Sequence, residues 1–191
     1  MENDFLRKVI ILNTVQPIRD LVMIAEMKRV LLQQSYRNYF LLVMGINTGL
    51  RISDLIRLKV IDVKDKSHII LTEKKTKKVK RFKINGSLQK EIRQYTVKMT
   101  DDCYLFKSKR RAKHIGRCHA WKILNDAAKE IGLSEIGTHT LRKTFGYHFY
   151  QKTKDVALLQ EIFNHSSPSV TLRYIGINQD LMDEAIDDFS L

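Results

Sequence analysis

Apolar residues return every three or four positions near the start of the chain. Met23, Ile24, Met27, Val30 and Leu31 share one side of a helical wheel, and with Pro17 and Asp20 ahead of them they predict a helix running to about Gln34. Tyr36 to Asn47 follows. It contains the longest unbroken apolar run, Tyr39 to Met44, and is apolar on nearly every face, as a helix at the centre of a core must be. Gly49 just beyond it suits a C-cap, and Arg51 then opens a short helix with Ile52, Leu55 and Leu58 on one side. From Val60 the pattern changes. His68 to Thr72 and Val79 to Ile84 read as strands around the turn Lys74 to Lys78, a β-hairpin with an exposed basic tip. Helical spacing then resumes. Ser87 predicts an N-cap for a helix to about Lys98; Trp121, Leu124, Ala127 and Ile131 mark another; Thr138 or Thr140 caps one through Tyr150. Val156–Phe163, Val170–Tyr174 and Leu181–Phe189 complete the set. The fold class expected is mainly α with a small antiparallel β-sheet, an α+β chain. With no repeat and no Gly/Ser/Pro-rich linker, residues 17–191 form one domain behind an arm, or linker remnant, of residues 1–16.

A chain of 191 residues can bury a full core without disulfides or metal. Being 43% hydrophobic and 29% charged, with only 8 Gly and 2 Pro, it is neither disordered nor fibrous. Tyr39 to Met44 is far short of a bilayer span, Glu2 and Asp4 precede any apolar stretch, and Cys103 and Cys118 lack C-x-x-C spacing. A cytoplasmic protein that does not meet the membrane is expected. Lys and Arg number 34 against 21 Asp and Glu, a net charge of +13. The windows Lys74–Lys83 and Lys107–Arg117 hold 7 and 6 basic residues and no acid, which accounts for the whole excess. Positive charge gathered into two segments of an otherwise neutral chain suits a surface that meets a polyanion.

Four segments bring polar residues to the ends of apolar helices: Thr48-Gly49-Leu50-Arg51-Ile52-Ser53-Asp54-Leu55, Lys74-Lys75-Thr76, His139-Thr140-Leu141-Arg142, and Asn164-His165-Ser166-Ser167 with Thr171-Leu172-Arg173-Tyr174. They supply two arginines, one or two lysines, two histidines and a tyrosine, with no obvious cluster of acids. That set handles phosphate: arginine presents paired donors to two oxygens, lysine is a point charge and proton donor, and histidine passes protons near neutrality.

In this order the motifs resemble the catalytic domain of the tyrosine recombinases, the phage integrase family, from about Pro17 to Phe189. Arg51 looks like the family's first arginine, Lys75 its hairpin lysine, His139 and Arg142 its H-x-L-R element, His165 its second histidine and Tyr174 its nucleophile. The resemblance implies that Tyr174 attacks a DNA phosphate to give a covalent phosphotyrosine and a free 5′-hydroxyl. Arg51 and Arg142 would hold the non-bridging oxygens, Lys75 would protonate the leaving oxygen, His139 would take or relay the tyrosine proton, and His165 would hydrogen-bond the phosphate. Lys74 and Lys75 would point oppositely on a strand, so only one can be the acid. No metal or cofactor is implied. The expected DNA-backbone contacts are Lys74, Lys77, Lys78, Lys80 and Arg81 on the hairpin, and Lys107, Lys109, Arg110, Arg111, Lys113 and Arg117 on the second window. Double-stranded DNA is the implied partner, with a tetramer of the chain assembled on it through the acidic segment Asp180–Phe189, a place for an accessory directionality factor, and a bacterial, nucleoid-associated setting.

The pattern departs from the family in three places. Phe163-Asn164 stands where Leu-Gly usually precedes the second histidine, and Lys143 where many members carry another histidine. The family's clamp on DNA is completed by a separate N-terminal core-binding domain, and only about sixteen residues precede the first helix predicted here: either the chain is a fragment or it acts without that clamp, with weaker or less selective binding expected. Blander readings exist for each motif alone. A basic hairpin is commonly a solvated edge, and a lone H-x-x-R a surface pair. Tyr36, Tyr39, Tyr95, Tyr104, Tyr147 and Tyr150 read as packing residues, and Ser166 and Ser167 as turn or cap residues. Cys103, His114, Cys118 and His119 match no common zinc spacing. Two functional alternatives to strand exchange are a catalytically silent DNA-binding module of this fold and a type IB topoisomerase-like nicking and closing activity.

Overall fold

The computed structural model describes residues 15–110, 112–134, 136–178, 186, 187 and 189. In chain order its elements are α1 (Leu21–Gln34), α2 (Tyr36–Thr48), α3 (Ile52–Leu55), a 3-10 turn at Val60–Asp62, β1 (His68–Thr72), β2 (Val79–Lys83), α4 (Gly86–Thr96), α5 (Arg117–Glu130), α6 (Thr140–Thr153), α7 (Val156–Phe163) and α8 (Pro168–Ile175). This is the expected α+β composition. Most of the arm and most of the predicted helix Leu181–Phe189 lie outside the described residues.

Local chemistry sets the boundaries. The Asp20 carboxylate accepts from the Val22 amide at 2.7 Å and starts α1. Ser35 separates α1 from α2 alone: its amide donates to the Leu31 carbonyl and its hydroxyl accepts from the Asn38 amide at 3.2 Å. Gly49 ends α2 with a positive φ of 63°, and a Cβ there would stand 2.5 Å from the Phe145 ring, so both backbone and space demand glycine. Two expected caps are corrected. Asn85, not Ser87, caps α4 by accepting from the Leu88 amide at 2.8 Å. His139, not Thr138 or Thr140, is the residue at the start of α6, while the Thr140 hydroxyl accepts from the Gly137 amide at 3.0 Å. Ser167 caps α8 through the Val170 amide, with Pro168 at its first position.

β1 and β2 pair antiparallel with His68 opposite Lys83 and Thr72 opposite Val79. Ile69 and Phe82, facing partners in this register, turn inward and are buried. The core has two parts. The larger surrounds α2, whose Phe40, Leu41, Leu42 and Met44 are fully buried among residues of α1, α4, α5 and the hairpin. The smaller is built from Leu159, Phe163, Ile175 and Ile177, with Phe145, Phe149 and Tyr174 against it. Helix α6 lies between them: Leu141 faces the first, and Phe145 and Phe149 the second. Tyr36 and Tyr39 stack on each other, and Tyr95 meets Tyr36 edge-on and stacks on Phe40, as packing residues should. Among the described residues no helix is long and apolar enough to cross a membrane.

Candidate active site

The seam between the two cores collects the polar groups. Because Gly49 stops the buried α2, the chain emerges extended at Arg51, which has β-region backbone angles and precedes α3. The Arg51 guanidinium, mostly covered, forms an ion pair with Glu73, whose side chain is almost wholly buried. The other carboxylate oxygen of Glu73 accepts from the Thr76 hydroxyl at 2.6 Å, and its backbone closes the hairpin turn through Lys77 and Lys78. One buried acid thus ties the first arginine to the lysine turn.

Lys74 and Lys75 both lie in that turn, beyond the end of β1 at Thr72. Strand alternation therefore does not apply to them. The Lys74 amide donates to the buried Asp54 carboxylate at 3.0 Å, leaving the Asp54 Oδ2 atom without a partner among the described residues. The charge of Lys75 reaches His139. A cleft of about 500 Å³ lies between these parts, lined by Arg51, Ile52, Ser53, Lys74, Lys75, Arg117, Thr138 and His139.

Arg142, one turn into α6, is buried and spans both cores. Its Nη1 donates to the Gly49 carbonyl at 2.6 Å and its Nη2 to the Phe163 carbonyl at 3.0 Å, with the guanidinium carbon 4.1 Å from the Phe163 ring centroid. Each carbonyl ends a helix, where such acceptors lack intrahelical donors. Burial lowers its pKa to about 10, so it stays cationic at neutral pH.

Helix α7 ends at Asn164 in the left-handed region, φ 52°, which asparagine tolerates better than other residues with a Cβ. This sharp turn brings His165 back beside the end of α8. The His165 and Tyr174 ring centroids are 4.9 Å apart, and His165 Nδ1 lies 3.2 Å from the Thr171 hydroxyl. Desolvation first, then the charges of Arg142 and Arg51, lower the His165 pKa to about 4, so its ring is neutral at physiological pH. Tyr174 sits in the last turn of α8, which Gly176 closes in the left-handed conformation. Its hydroxyl is 3.1 Å from His139 Nδ1. Burial pushes the Tyr174 pKa up, and Arg142 and Arg51 oppose that rise. His139 is held below the ordinary histidine range by desolvation and by Arg142, Lys143, Lys75 and Arg51, in that order. A neutral imidazole facing a phenol is a base within reach of a proton.

All six residues proposed from the motifs thus meet at this seam. The predicted backbone-contact residues divide. Arg117 is the first residue of α5 and lines the cleft. Lys77 is exposed in the turn. Lys78 Nζ is 3.4 Å from Asn164 Oδ1, Lys80 Nζ donates to the Glu161 carbonyl at 2.9 Å, and Arg81 Nη2 lies 3.1 Å from His68 Nδ1, so these three are engaged within the chain. Lys107, Lys109, Arg110 and Lys113 are exposed on a loop shaped by pairing of Lys107 with His114 and by an Arg37 donor to the Lys107 carbonyl; Arg111 lies outside the described residues. Sequence reasoning missed the acids. Asp54 stands three residues after Arg51, and Glu73 is the single acid between an apolar strand and a run of lysines; each position is a signal. Among the described residues no three or more His, Cys, Asp or Glu side chains gather as metal ligands would.

Fold and motifs agree with comparison to known proteins: the chain belongs to the phage integrase family, whose profile matches residues 17–180. Among its relatives is a protein of Bacillus subtilis (strain 168) named "Probable integrase/recombinase YoeC", 57% identical over 169 residues, which cover 88% of this chain and 93% of that protein. The tyrosine recombinase XerA of Pyrococcus furiosus is 27% identical over 172 residues, covering 88% of this chain and 60% of XerA. The chain therefore spans nearly all of the first relative and only part of the second. Solved structures share the fold. A crystal structure of XerA recombinase superposes with a TM-score of 0.72 at 22% identity, over 93% of this chain and 66% of that one. A lambda integrase (75-356) dimer bound to a COC′ core site superposes with a TM-score of 0.66 at 18% identity, over 85% of this chain and 60% of that one.

Proposed function

We propose that this chain cuts and rejoins double-stranded DNA at a specific site through a covalent 3′-phosphotyrosine on Tyr174. The observation that carries the reading is the 3.1 Å approach of His139 Nδ1 to the Tyr174 hydroxyl, on which the charges of Arg142 and Arg51 act. His139 Nδ1 takes the phenol proton as the Tyr174 oxygen attacks phosphorus. The phosphorus–O5′ bond breaks, and Lys75, whose charge reaches His139, donates its proton to the departing oxygen. Arg51 and Arg142 hold the non-bridging oxygens, where negative charge builds in the transition state. For His165 to donate from Nε2 to the phosphate, its Nδ1 must accept, so the Thr171 hydroxyl turns from the Ser167 carbonyl toward the ring. The tyrosyl ester keeps the energy of the phosphodiester, so a 5′-hydroxyl from another strand reverses the step without ATP.

Residues 17–191 form the catalytic unit in this reading, and a DNA-bound tetramer uses the acidic segment Asp180–Phe189 to join neighbours in the nucleoid. Solved neighbours include XerH bound to its difH substrate and the Tn1549 transposon integrase with a circular intermediate DNA, which supports the duplex as partner. The test uses a nicked duplex carrying a candidate recombination site. The wild-type chain is expected to leave a protein–DNA adduct that survives denaturation and is removed by protease treatment, and Tyr174→Phe is expected to leave none. Absence of an adduct with the wild type overturns the reading in favour of a silent binding module. Equal adducts on any duplex, with relaxation of supercoils, replace it with a topoisomerase-like activity.

A further inference from the structure

Lys143 is the residue after Arg142 on α6 and is 9% exposed. A lysine is seldom buried without a partner that gains from its charge. Its Nζ lies 5.3 Å from the centroid of the Tyr174 ring, within the range of a cation–π contact. Among the described residues, the charged and titratable groups around it include Arg19 from the segment before α1, Tyr174 from α8 and His139 at the start of its own helix, with Arg142 next to it in the chain.

We propose that Lys143 is a positioning residue for the nucleophile: its ammonium sits over the face of the Tyr174 ring and favours the phenolate over the phenol. This rests on the reading of Tyr174 as the nucleophile. The physical reason is where the charge goes. When the phenol ionises, negative charge spreads from the oxygen into the ring, and a cation over the ring face is drawn to it more strongly than to the neutral phenol. Once the oxygen is esterified to phosphorus that charge leaves the ring, so the extra attraction belongs to the attacking state and not to the product. Interactions of that kind raise a rate. Arg142 and Arg51 act at the oxygen side, where they must also hold phosphate; Lys143 acts from the ring side and leaves the phosphate pocket free. Burial and the neighbouring Arg19 hold the Lys143 pKa below the ordinary lysine range, so a π face is a fitting neighbour for the cation. The same ammonium helps to hold His139 neutral. One side chain therefore prepares both the donor and the acceptor of the tyrosine proton.

The experiment places 3-fluorotyrosine at position 174 and follows its ionisation by fluorine NMR in the full chain without DNA, a readout independent of turnover. Lys143→Met keeps the apolar stem and removes the charge; Lys143→Gln is a second neutral variant; Lys143→Arg restores a cation. Both neutral variants should move the midpoint up by about one pH unit relative to wild type, and Lys143→Arg should hold it close to wild type. Adduct formation on the nicked duplex should slow about tenfold at neutral pH in Lys143→Met, with the rate recovered as pH rises by about a unit. Unchanged midpoints in both neutral variants overturn the proposal, as does a midpoint shifted equally by Lys143→Arg, which would mark a role in packing alone. A wild-type chain that gives no adduct while its midpoint still responds to Lys143 would leave this contact standing and overturn only the nucleophile reading.

Discussion

Gly146 offers a sharp test of how Tyr174, the proposed nucleophile, is placed. It is buried on α6, and a Cβ there would stand 2.7 Å from Ile175 Cγ2 and 2.7 and 2.8 Å from two atoms of the Phe163 ring. Carbon atoms rest at roughly 3.5–4.0 Å, so Gly146→Ala requires the ends of α7 and α8 to withdraw by about 1 Å. Two effects on stability oppose each other. Overpacking costs about 1–3 kcal/mol, while alanine in a helix interior gains about 1 kcal/mol over glycine. The net loss is about 2 kcal/mol or less, and the chain should still fold. Activity should respond far more. Ile175 adjoins Tyr174, whose hydroxyl is 3.1 Å from His139 Nδ1, so a withdrawal of about 1 Å stretches that contact beyond hydrogen-bond range. A misplacement of that size costs on the order of 100-fold in rate. The assay is single-turnover adduct formation on the nicked duplex, beside urea unfolding of the same preparation. Gly86→Ala, where a Cβ meets nothing within 4 Å, is the control: it should leave adduct formation unchanged and raise stability by at most about 1 kcal/mol. A Gly146→Ala chain that is folded and cleaves at the wild-type rate would refute the claim that this contact sets the position of Tyr174.

Two further outcomes are expected. The neutral, half-buried His165 has a folded-state pKa of about 4 against an ordinary 6.5, so the unfolded chain binds its proton first and stability falls as pH drops from about 6.5 toward 4. Urea midpoints across that interval should decline in the wild type, and His165→Gln should flatten the decline; an equal slope in both would remove His165 from the account. Replacing Lys107, Lys109, Arg110 and Lys113 together with glutamine should weaken duplex binding and reduce the log–log salt slope by about 0.9 for each phosphate the loop no longer neutralises. An unchanged slope would mean the loop does not touch DNA.

What the amino-acid pattern revealed and what it hid follow one physical division. The buried α2 was legible because no surface helix is apolar all round, and its end at Gly49 because little else fits a left-handed turn against Phe145. The order of Arg51, His139, Arg142, His165 and Tyr174 was legible because each lies at the end of an element that the pattern also marks. The cap of α4 was not: Asn85 and Ser87 are both good caps two residues apart, and only the tertiary path of the chain selects between them. The face reached by Lys74 or Lys75 could not be read from strand alternation, because β1 stops at Thr72. Nor could the diversion of Lys80 to the Glu161 carbonyl, a contact across 81 positions of chain. Glu73 was overlooked because its partner, Arg51, is 22 residues away and a charge count sees it as one acid beside a basic run.

Arg142 gives the site an unequal tolerance of decay. Its two carbonyl contacts fasten the end of α2 to the end of α7, so the side chain proposed to steady a phosphate is also a rivet of the folded body. A descendant that abandoned cleavage could discard Tyr174 for phenylalanine with little harm to its architecture, yet would lose stability with the arginine. In a lineage drifting from enzyme to passive DNA binder, the tyrosine is the part to disappear first, and a surviving arginine says nothing about whether strands are still being cut.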